Sequence, residues 1–426
     1  MKDRFYAGLF LTYRDFGVIM FEVYYGGNIM LKSIRLYSAA AAASLLALTA
    51  VSCGNSPAQT GAGTNAPEDT GVSAETVSSA EKTDAHVYIE GTKFMVGGKE
   101  LWISGGNTPW FKWNDFDGNM DEEVWDKTFA QLAENHINCT RIWVNCNGDS
   151  VVNVDYDGEI DHVNEAHWSD LDKLFAIAEK YKVYVMPTLL SFDHFKTTDW
   201  QKLIQSKEFT DSYAELYVEE FCKRYGDCDY IFGIDIMNEP DWVFENEECG
   251  QISWDNISYL LGKCADVIHK NSSKLVTVGT AIVKYNSDDY EGNKVSDEYL
   301  KQLTGLDGAY LDFYSVHYYG WQRPWFGFPC DISPEEFKLP HDRPCIIGET
   351  SNDDEKETKM TLSEKYKTMY DKGWNGLLVW MEPRKDEELM WYRYDLTREA
   401  ANAMYEYAPD KIDPLGVWGS PVPDAA

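Results

Sequence analysis

The sequence has few basic residues for its size. Its 426 residues include 38 Lys and Arg against 71 Asp and Glu, which gives a formal net charge of −33. A nucleic-acid partner or a polyanionic substrate needs a basic surface to neutralise phosphates, so this composition argues against both. Hydrophobic residues still make up 44% of the chain and aromatic residues 14%, which is typical of a globular protein with an acidic surface.

The sequence also lacks an apolar run long enough to predict a membrane-spanning helix. The best candidate, residues 36–51, is short and rich in alanine, and it follows the basic residues Lys32 and Arg35. A charged region, an apolar run and then small residues form the order of a secretory signal. Residues 30–53 resemble a bacterial lipoprotein signal, which implies lipid modification of Cys53, with plain secretion as the alternative.

Two segments beside this signal do not have the composition of a folded domain. Residues 1–29 fit neither a signal nor a domain, and we expect Met30 to be the true start. Residues 54–85 contain no aromatic side chain and are rich in Ser, Thr, Ala and Gly, so they cannot bury enough apolar surface to offset their ordering entropy. They predict a flexible linker. We therefore expect an exported monomer, secreted or lipid-anchored at the cell surface, with one folded domain at residues 86–426.

Closely spaced cysteines and histidines are missing as well. Of the nine cysteines, eight remain when Cys53 is set aside, and none of them forms a CxxC pair near a histidine cluster. The sequence therefore predicts no zinc site. Export would allow disulfide bonds, and the sequence leaves their pairing open. Cys139 and Cys345 lie inside apolar strand-like runs, where buried thiols are expected.

From residue 101 onward, short apolar runs alternate with amphipathic stretches. The predicted strands are residues 101–105, 139–144, 183–190, 231–237, 275–280, 313–317, 345–348 and 376–380. The predicted helices are residues 121–135, 168–181, 207–224, 254–270, 295–303, a weak one at 333–338, 358–372 and 397–406. Eight strands, each followed by a helix, are the count of an α/β fold of the (β/α)₈ TIM-barrel type.

The alternative fold is an open, doubly wound sheet. That fold would carry a glycine-rich phosphate turn after its first strand, and the sequence SGGN at residues 104–107 lacks the required spacing. We therefore favour the TIM barrel. Residues 86–100 alternate around glycine pairs and predict a small N-terminal β-hairpin that closes the bottom of the barrel.

In a TIM barrel, the residues at the carboxyl ends of the strands form the active site. Two carboxylates with aromatic walls are what glycoside hydrolysis needs, because one acid protonates the leaving oxygen while one ionised carboxylate attacks or stabilises the sugar. The polar and aromatic residues at or near the ends of the predicted strands are Arg141, His194, Asn238, Glu239, His317, Tyr319, Glu349 and Trp380.

These residues stand in stretches by which the chain resembles glycoside hydrolase family 5, a family of retaining TIM-barrel enzymes. The matching stretches are TRIWV with Arg141, FDHF with His194, FGIDIMNEP with Asn238 and Glu239, SVHYYG with His317 and Tyr319, IIGET with Glu349, and LLVWM with Trp380. The resemblance covers residues 90–385 and implies that Glu239 is the catalytic acid/base and Glu349 the nucleophile.

The resemblance also implies roles for the other residues. Asn238 would bind the sugar 2-hydroxyl, while Arg141 and Tyr319 would orient Glu349 and keep it ionised. A hydrogen bond from His317 would help to set the proton of Glu239. The two residues that would line the sugar subsite at the cleavage point are His194 and Trp380.

Tryptophans in the loops beyond the strand ends predict sugar contacts. Trp110 follows the first strand, Trp242 the fourth and Trp321 the sixth. Such platforms in an open cleft predict an endo-acting hydrolase of a neutral β-1,4-linked polysaccharide, with β-mannan ranked slightly above β-glucan. The alternatives are a surface glycan-binding lipoprotein on an inactive barrel and a transglycosylase that uses the same site. We expect no cofactor and no metal.

One segment has part of the pattern of a calcium loop. Residues 153–164 carry Asn153, Asp155 and Asp157, but position twelve is Asn164 rather than Glu. Helices of the right kind do not flank the segment. We therefore predict a turn after the second strand in preference to a calcium site.

Overall fold

The computed structural model describes residues 85–148, 150–384 and 390–418, and a short antiparallel pair of Tyr24–Tyr25 with Asn28–Ile29. That pair belongs to a separate unit, residues 1–77. The predicted signal, its lipidation site Cys53 and the predicted linker lie outside the described residues, apart from Ala85. In the part of the chain that is described, no helix is both long and apolar enough to cross a membrane.

Eight parallel strands close into a barrel. In chain order, barrel strands 1 to 8 are Ile103–Asn107, Cys139–Trp143, Tyr184–Ser191, Gly233–Asn238, Leu275–Thr280, Tyr314–Tyr318, Cys345–Ser351 and Gly376–Trp380. Consecutive strands pair with each other, and strand 8 pairs with strand 1. The strands are buried almost throughout because helices cover them from outside. The predicted TIM barrel is confirmed, and the open-sheet alternative is wrong.

Amphipathic helices separate most of these strands. The longer ones are Glu122–Glu134, Glu165–Tyr181, Thr198–Gln205, Lys207–Tyr213, Glu219–Tyr225, Trp254–Asn271, Asp297–Thr304, Leu362–Asp371 and Tyr394–Tyr407. The shorter ones are Asp241–Glu245, Arg323–Phe326, Glu355–Thr358 and Pro409–Ile412. Several helices begin at a side-chain cap; Ser253, for example, accepts the backbone N–H of Asn256.

Two helix predictions need correction. The weak helix predicted at residues 333–338 is wrong, because residues 334–338 form a turn. Pro334 and Pro340 bound this stretch, and so short a segment cannot offset the cost of helix nucleation. The helix Thr198–Gln205 was not predicted from the sequence. Its apolar face packs through the buried residues Trp200, Leu203 and Ile204.

A small antiparallel sheet closes the bottom of the barrel. The predicted hairpin has a third strand, so the sheet consists of Tyr88–Glu90, Lys93–Val96 and Lys99–Leu101. Because residues 99–101 belong to this sheet, barrel strand 1 begins two residues later than predicted. Phe94 is fully buried, and its ring lies 4.8 Å from that of Phe232 and 5.2 Å from that of Phe313. These aromatic contacts fill the end of the barrel opposite the carboxyl ends of its strands.

The strand register brings the predicted polar residues together at the other end. Asn107 lies opposite Arg141 in the pairing of strands 1 and 2, and His317 lies opposite Glu349 in the pairing of strands 6 and 7. The pairing shifts irregularly just before His317 and around Glu349. Such irregularities redirect side chains next to functional sites, and here they lie at the ends that carry the candidate catalytic residues.

Candidate active site

Arg141, on barrel strand 2, is the centre of a buried hydrogen-bond network. Its Nε and Nη2 both lie 2.8 Å from Asp235 Oδ2 on strand 4. Nη2 also donates to Asn238 Oδ1 at 2.8 Å. Nη1 donates to Asn107 Oδ1 at 3.0 Å and to Glu349 Oε2 at 3.2 Å. The guanidinium therefore links strands 1, 2, 4 and 7 through one rigid fork of donors.

Glu349, on strand 7, receives a second donor in addition to Arg141. The Tyr319 hydroxyl donates to Oε1 at 2.7 Å, and His317 Nδ1 lies 3.6 Å from Oε2. Burial raises the pKa of Glu349, and His317, Arg141 and Tyr319 each oppose that rise. Burial also raises the pKa of Tyr319 well above its ordinary value, so its hydroxyl stays protonated and keeps donating. Arg141 and Tyr319 therefore contact Glu349 as predicted, but burial outweighs their effect on its pKa, and their role in keeping Glu349 ionised stays a prediction.

Glu239 follows strand 4 directly and has different neighbours. Its Oε1 lies 3.0 Å from His317 Nδ1, and its Oε2 accepts the indole N–H of Trp242 at 2.9 Å. Burial raises the pKa of Glu239 to about 7, against the opposing effects of Trp242 and Arg141. Burial lowers the pKa of His317 to about 4, so the imidazole is neutral near pH 7. A carboxyl group that keeps its proton close to neutral pH can serve as a general acid.

The two carboxylates are close to each other as well as to His317. One ligand atom from each of Glu239, His317 and Glu349 lies within 4.8 Å of the others, the spacing of a metal-binding group. Among the described residues this is the one group of three with that spacing. A pair of catalytic carboxylates produces the same proximity, because retaining glycosidases place them about 5–5.5 Å apart. The ion pair of Glu349 with Arg141 fits that chemistry without a metal ion.

A glycine on strand 5 makes room for this network. A Cβ atom at Gly279 would lie 2.7 Å from His317 Nε2 and 3.0 Å from Arg141 Nη2. The Gly279 carbonyl also accepts the backbone N–H of Glu239 at 2.7 Å. The backbone of strand 5 therefore supports the candidate acid at a position where any larger residue would displace its neighbours.

The raised pKa of Glu239 predicts the pH dependence of the rate. The protonated acid is lost as pH rises through about 7, so kcat/KM should fall about tenfold per pH unit above that value. On the acid side, the rate should fall as Glu349 gains a proton, at a higher pH than an ordinary glutamate because burial raises its pKa. Initial rates on a soluble substrate check both limbs. In Glu239→Gln, an unchanged alkaline limb on an activated aryl glycoside would assign that limb to another group.

Three further residues of the site, Asn107, Asp235 and Trp143, were not predicted from the sequence. Asn107 donates to the Gly348 carbonyl at 3.1 Å and accepts from Arg141, and its position at the end of strand 1 was a usable signal. Asp235 is fully buried, and an acid inside an apolar strand was a signal for a buried cation. Trp143 lies two residues after Arg141, on the same face of strand 2, with the guanidinium 5.9 Å from its ring centre.

Substitution of Asp235 tests the buried ion pair. Besides Arg141, its carboxylate accepts the Thr188 hydroxyl and the Gly279 N–H, both at 2.9 Å. We expect Asp235→Asn to lower the free energy of unfolding by about 3 kcal/mol, because Arg141 loses its shortest charged contacts in a buried site. The rate should fall about a hundredfold, since a guanidinium that Asp235 no longer fixes would orient Glu349 less precisely. Denaturant unfolding and initial rates measure the two effects.

The matched control is Asp126→Asn. Asp126 forms an exposed ion pair with Lys180 at 2.5 Å, between the helices Glu122–Glu134 and Glu165–Tyr181, and exposed pairs contribute little to stability. Equal losses of stability in the two variants would contradict the central role of Asp235.

Four tryptophans form an aromatic wall beside Arg141. The ring of Trp110 lies 4.8 Å from those of Trp113 and Trp143 and 5.7 Å from that of Trp380. Trp143 and Trp380 are 5.9 Å apart. The predicted sugar-contact residues Trp110 and Trp380 are therefore brought together next to the network. Their partial exposure leaves ring surface for a flat apolar ligand such as a sugar face.

The other predicted sugar-contact residues, Trp321, Trp242 and His194, differ in their exposure and in their partners. Trp321 is exposed, and its nearest aromatic partner is Trp325 at 6.4 Å. Trp242 uses its one polar atom on Glu239. His194 is fully buried, with its Nδ1 near the backbone of Ser191 and its ring edge-on to Trp200 at 4.6 Å. Its role in a sugar subsite stays a prediction.

The cysteines and the calcium-like loop have structural roles. The eight cysteines of the described residues are free thiols, and Cys139 and Cys345 are buried in strands as expected. The segment that resembles a calcium loop forms an antiparallel hairpin of Val152–Val154 and Ile160–Val163. Asp155 accepts the backbone N–H groups of Asp157 and Glu159 in its turn, which agrees with the predicted turn.

Comparison with known families gives one clear match. The cellulase family, glycosyl hydrolase family 5, matches residues 97–418. This range includes all eight barrel strands, both carboxylates and the Arg141 network.

Individual relatives match at low identity over most of their length. A mannan endo-1,4-β-mannosidase of Mytilus edulis is 23% identical over 326 residues, covering 70% of this chain and 88% of the relative. One of Cryptopygus antarcticus is 22% identical over 320 residues, covering 68% and 82%. The structure of a β-1,4-mannanase from Aplysia kurodai superposes with a TM-score of 0.66 at 23% identity, covering 76% of this chain and 97% of that one. That likeness establishes a shared fold.

Proposed function

The chain belongs to glycosyl hydrolase family 5, and we propose that it cleaves internal β-1,4 linkages of a mannan with retention of configuration. The observation that carries this proposal is the pair Glu239 and Glu349, whose carboxylates both lie near His317 Nδ1, at 3.0 and 3.6 Å, with otherwise different neighbours. A protonated acid beside an ionised nucleophile is the arrangement that a double displacement requires.

In the first step, a carboxylate oxygen of Glu349 attacks the anomeric carbon of the sugar. The bond from that carbon to the glycosidic oxygen breaks, and its electron pair stays on the leaving oxygen, which takes the proton of Glu239. Arg141 and Tyr319 hold the nucleophile by their hydrogen bonds to its two oxygens. The amide oxygen of Asn238 accepts a hydrogen bond from Arg141, so its amide nitrogen is the group that would face a sugar hydroxyl.

In the second step, Glu239 is ionised and takes a proton from water. The water oxygen attacks the anomeric carbon, and the bond from that carbon to Glu349 breaks. Two inversions at one carbon give net retention. The proton returned to Glu239 restores the acid for the next cycle, so one water is consumed per bond cleaved.

The mannan substrate and the endo mode rest on two kinds of support. The relatives from Mytilus edulis and Cryptopygus antarcticus carry the name mannan endo-1,4-β-mannosidase. Exposed indoles at Trp113 and Trp321 lie on loops after strands 1 and 6, as expected for platforms that hold several sugars of a long chain.

Release of reducing ends tests the substrate. The full-length protein should release them from β-mannan faster than from carboxymethylcellulose, mixed-linkage glucan or xylan, and Glu349→Gln should release none. Short oligosaccharides of mixed length among the earliest products would support endo cleavage, whereas a single small product would contradict it. Preference for a glucan would overturn the mannan assignment but would still agree with a hydrolase activity.

Proton NMR of the first product tests retention. The β-anomer should appear first and then equilibrate with the α-anomer. Initial release of the α-anomer would overturn the double displacement.

We also propose that the protein acts outside the cell as a monomer, held at the surface through Cys53 or secreted. The support is the signal-like order of residues 30–53. Labelling of the full chain with a radioactive fatty acid, lost in Cys53→Ser, tests the anchor. Secretion of unlabelled protein would favour the alternative.

A further inference from the structure

The indole of Trp242 is directed at the candidate acid. Trp242 lies in the first turn of the short helix Asp241–Glu245, three residues after Glu239. Its backbone N–H donates to the Glu239 carbonyl at 3.1 Å, and its side-chain N–H donates to Glu239 Oε2 at 2.9 Å. An indole has only one polar atom and can only donate. That donor is therefore unavailable to a sugar while the contact with Glu239 persists.

The helix that carries Trp242 is fixed to the loop after strand 5. Asp241 is fully buried and accepts the backbone N–H groups of Ala281 at 2.8 Å and Ile282 at 3.1 Å. The Gln322 side chain in turn donates to the Ala281 carbonyl at 2.9 Å. These contacts anchor the helix from a neighbouring strand, and the helix in turn places the indole beside Glu239.

The backbone of Glu239 adopts an uncommon conformation that also restricts where its side chain can point. Its φ is +50°, in the left-handed region that few residues other than glycine adopt. Such a conformation is strained for a residue with a Cβ atom and requires support from the surroundings. The left-handed turn directs the side chain, and contacts on two sides then hold its oxygens: His317 Nδ1 lies 3.0 Å from Oε1, and the Trp242 indole N–H donates to Oε2 at 2.9 Å.

We propose that Trp242 is a positioning residue that holds the carboxyl plane of Glu239 and favours its ionised form in the second half of the reaction. This inference rests on the proposed acid/base role of Glu239. It assigns the indole to the proton-transfer machinery in place of the sugar contact expected from the sequence.

The physical basis is the preference of an N–H donor for a charged acceptor. A donated hydrogen bond stabilises the carboxylate more than the carboxylic acid, so it acts against the burial that raises the pKa of Glu239. Without the indole N–H, Glu239 would hold its proton more tightly, so a smaller fraction of it would be ionised and able to act as the base in the second step. Of the two side-chain contacts described above, only the one with His317 would then orient the Glu239 carboxyl group.

Several other groups act on Glu239 and are the same in any Trp242 variant. They are Arg141 on strand 2, Asp193 after strand 3, Asp241 on the same loop, His317 and Tyr319 at the end of strand 6, and Glu349 on strand 7. Burial raises the pKa of Asp241 to about 7 as well. The experiment must therefore distinguish the titration of Glu239 from that of Asp241.

The test compares Trp242→Phe with Trp321→Phe in the full-length protein. Both substitutions keep an aromatic face and remove an indole N–H, but only Trp242 contacts Glu239. We expect Trp242→Phe to move the alkaline limb of kcat/KM up by about one pH unit and to lower kcat about tenfold. Trp321→Phe should leave the pH profile unchanged. A merely structural loss would lower the rate without moving the limb.

A second measurement does not need activity. Protein labelled with ¹³C at the glutamate carboxyl carbons is titrated by NMR, and the Glu239 signal is identified by its absence in Glu239→Gln. Its midpoint should lie higher in Trp242→Phe than in the wild type. Aspartates, including Asp241, do not carry the label.

The outcomes separate this inference from the proposed function. An inactive wild type with a shifted Glu239 midpoint would overturn the proposed hydrolysis and keep the role of Trp242. An active wild type with an unshifted midpoint and limb in Trp242→Phe would overturn the inference. A raised KM with no shift would identify Trp242 as a sugar platform only.

Discussion

Glu349→Gln should lower kcat by at least about 10⁴-fold on every substrate, because an amide cannot replace the carboxylate that forms the covalent intermediate. The amide keeps the shape of the side chain and can still accept from Tyr319 or Arg141. Arg141 also keeps Asp235 at 2.8 Å, so the substitution does not leave a buried cation unpaired. The loss should be as large on aryl glycosides with good leaving groups as on polysaccharide.

Stability measurements make this prediction specific. Because burial raises the pKa of Glu349, the folded protein holds that charge at a cost, and the neutral amide should unfold at an equal or higher temperature. A variant that is inactive but unfolded would say nothing about the nucleophile, so thermal unfolding accompanies the kinetics. Residual turnover within about a hundredfold of wild type, in a folded protein, would remove Glu349 from that role.

Glu239→Ala should separate substrates by their leaving groups. Hydrolysis of mannan should fall about 10³-fold, because its leaving oxygen needs a proton. The first step on a dinitrophenyl glycoside should stay close to wild type, since that leaving group departs without one. The second step then becomes slow, because no base activates water, and the glycosyl-enzyme accumulates. We therefore expect the time course to show a burst of dinitrophenolate followed by slow turnover.

Azide then reports on the geometry of both carboxylates. In Glu239→Ala it should enter the space left by the side chain and accelerate turnover at least about tenfold, giving a β-glycosyl azide by attack on the intermediate. In Glu349→Gln any azide product should have the α configuration, because attack occurs directly on the substrate. Wild type should not be accelerated. An α-azide from the Glu239 variant would mean that the two roles are reversed.

The carboxylates and their support could be predicted from the sequence because of where they stand. Glu239, Arg141 and Glu349 each lie at or near the end of a short apolar run, and all strand ends of a TIM barrel meet at one face. The same rule applies to Asn107, which completes the donor and acceptor set of Arg141. Its omission came from placing strand 1 two residues early, at the third strand of the bottom sheet.

Other residues escaped because their signals are not local. Asp235 lies inside strand 4, where the sequence shows an acid among apolar residues but not the cation that it meets. Trp242 and Trp321 look alike in sequence, since both follow a strand in a loop. One contacts Glu239 and the other is exposed, and that difference depends on how each loop is anchored.

The sequence pattern was enough to predict the barrel and to place both carboxylates at the ends of its strands. Alternating apolar and amphipathic stretches are set by local periodicity, and their number and order leave few ways to bury them. How strongly each carboxylate holds its proton is not set by the local sequence. That depends on burial and on partners remote in the chain: Arg141 contacts Glu349 across 208 residues, while Glu239 meets His317 across 78. Neither environment exists until the strands close, because pKa values follow desolvation and neighbouring charges in three dimensions.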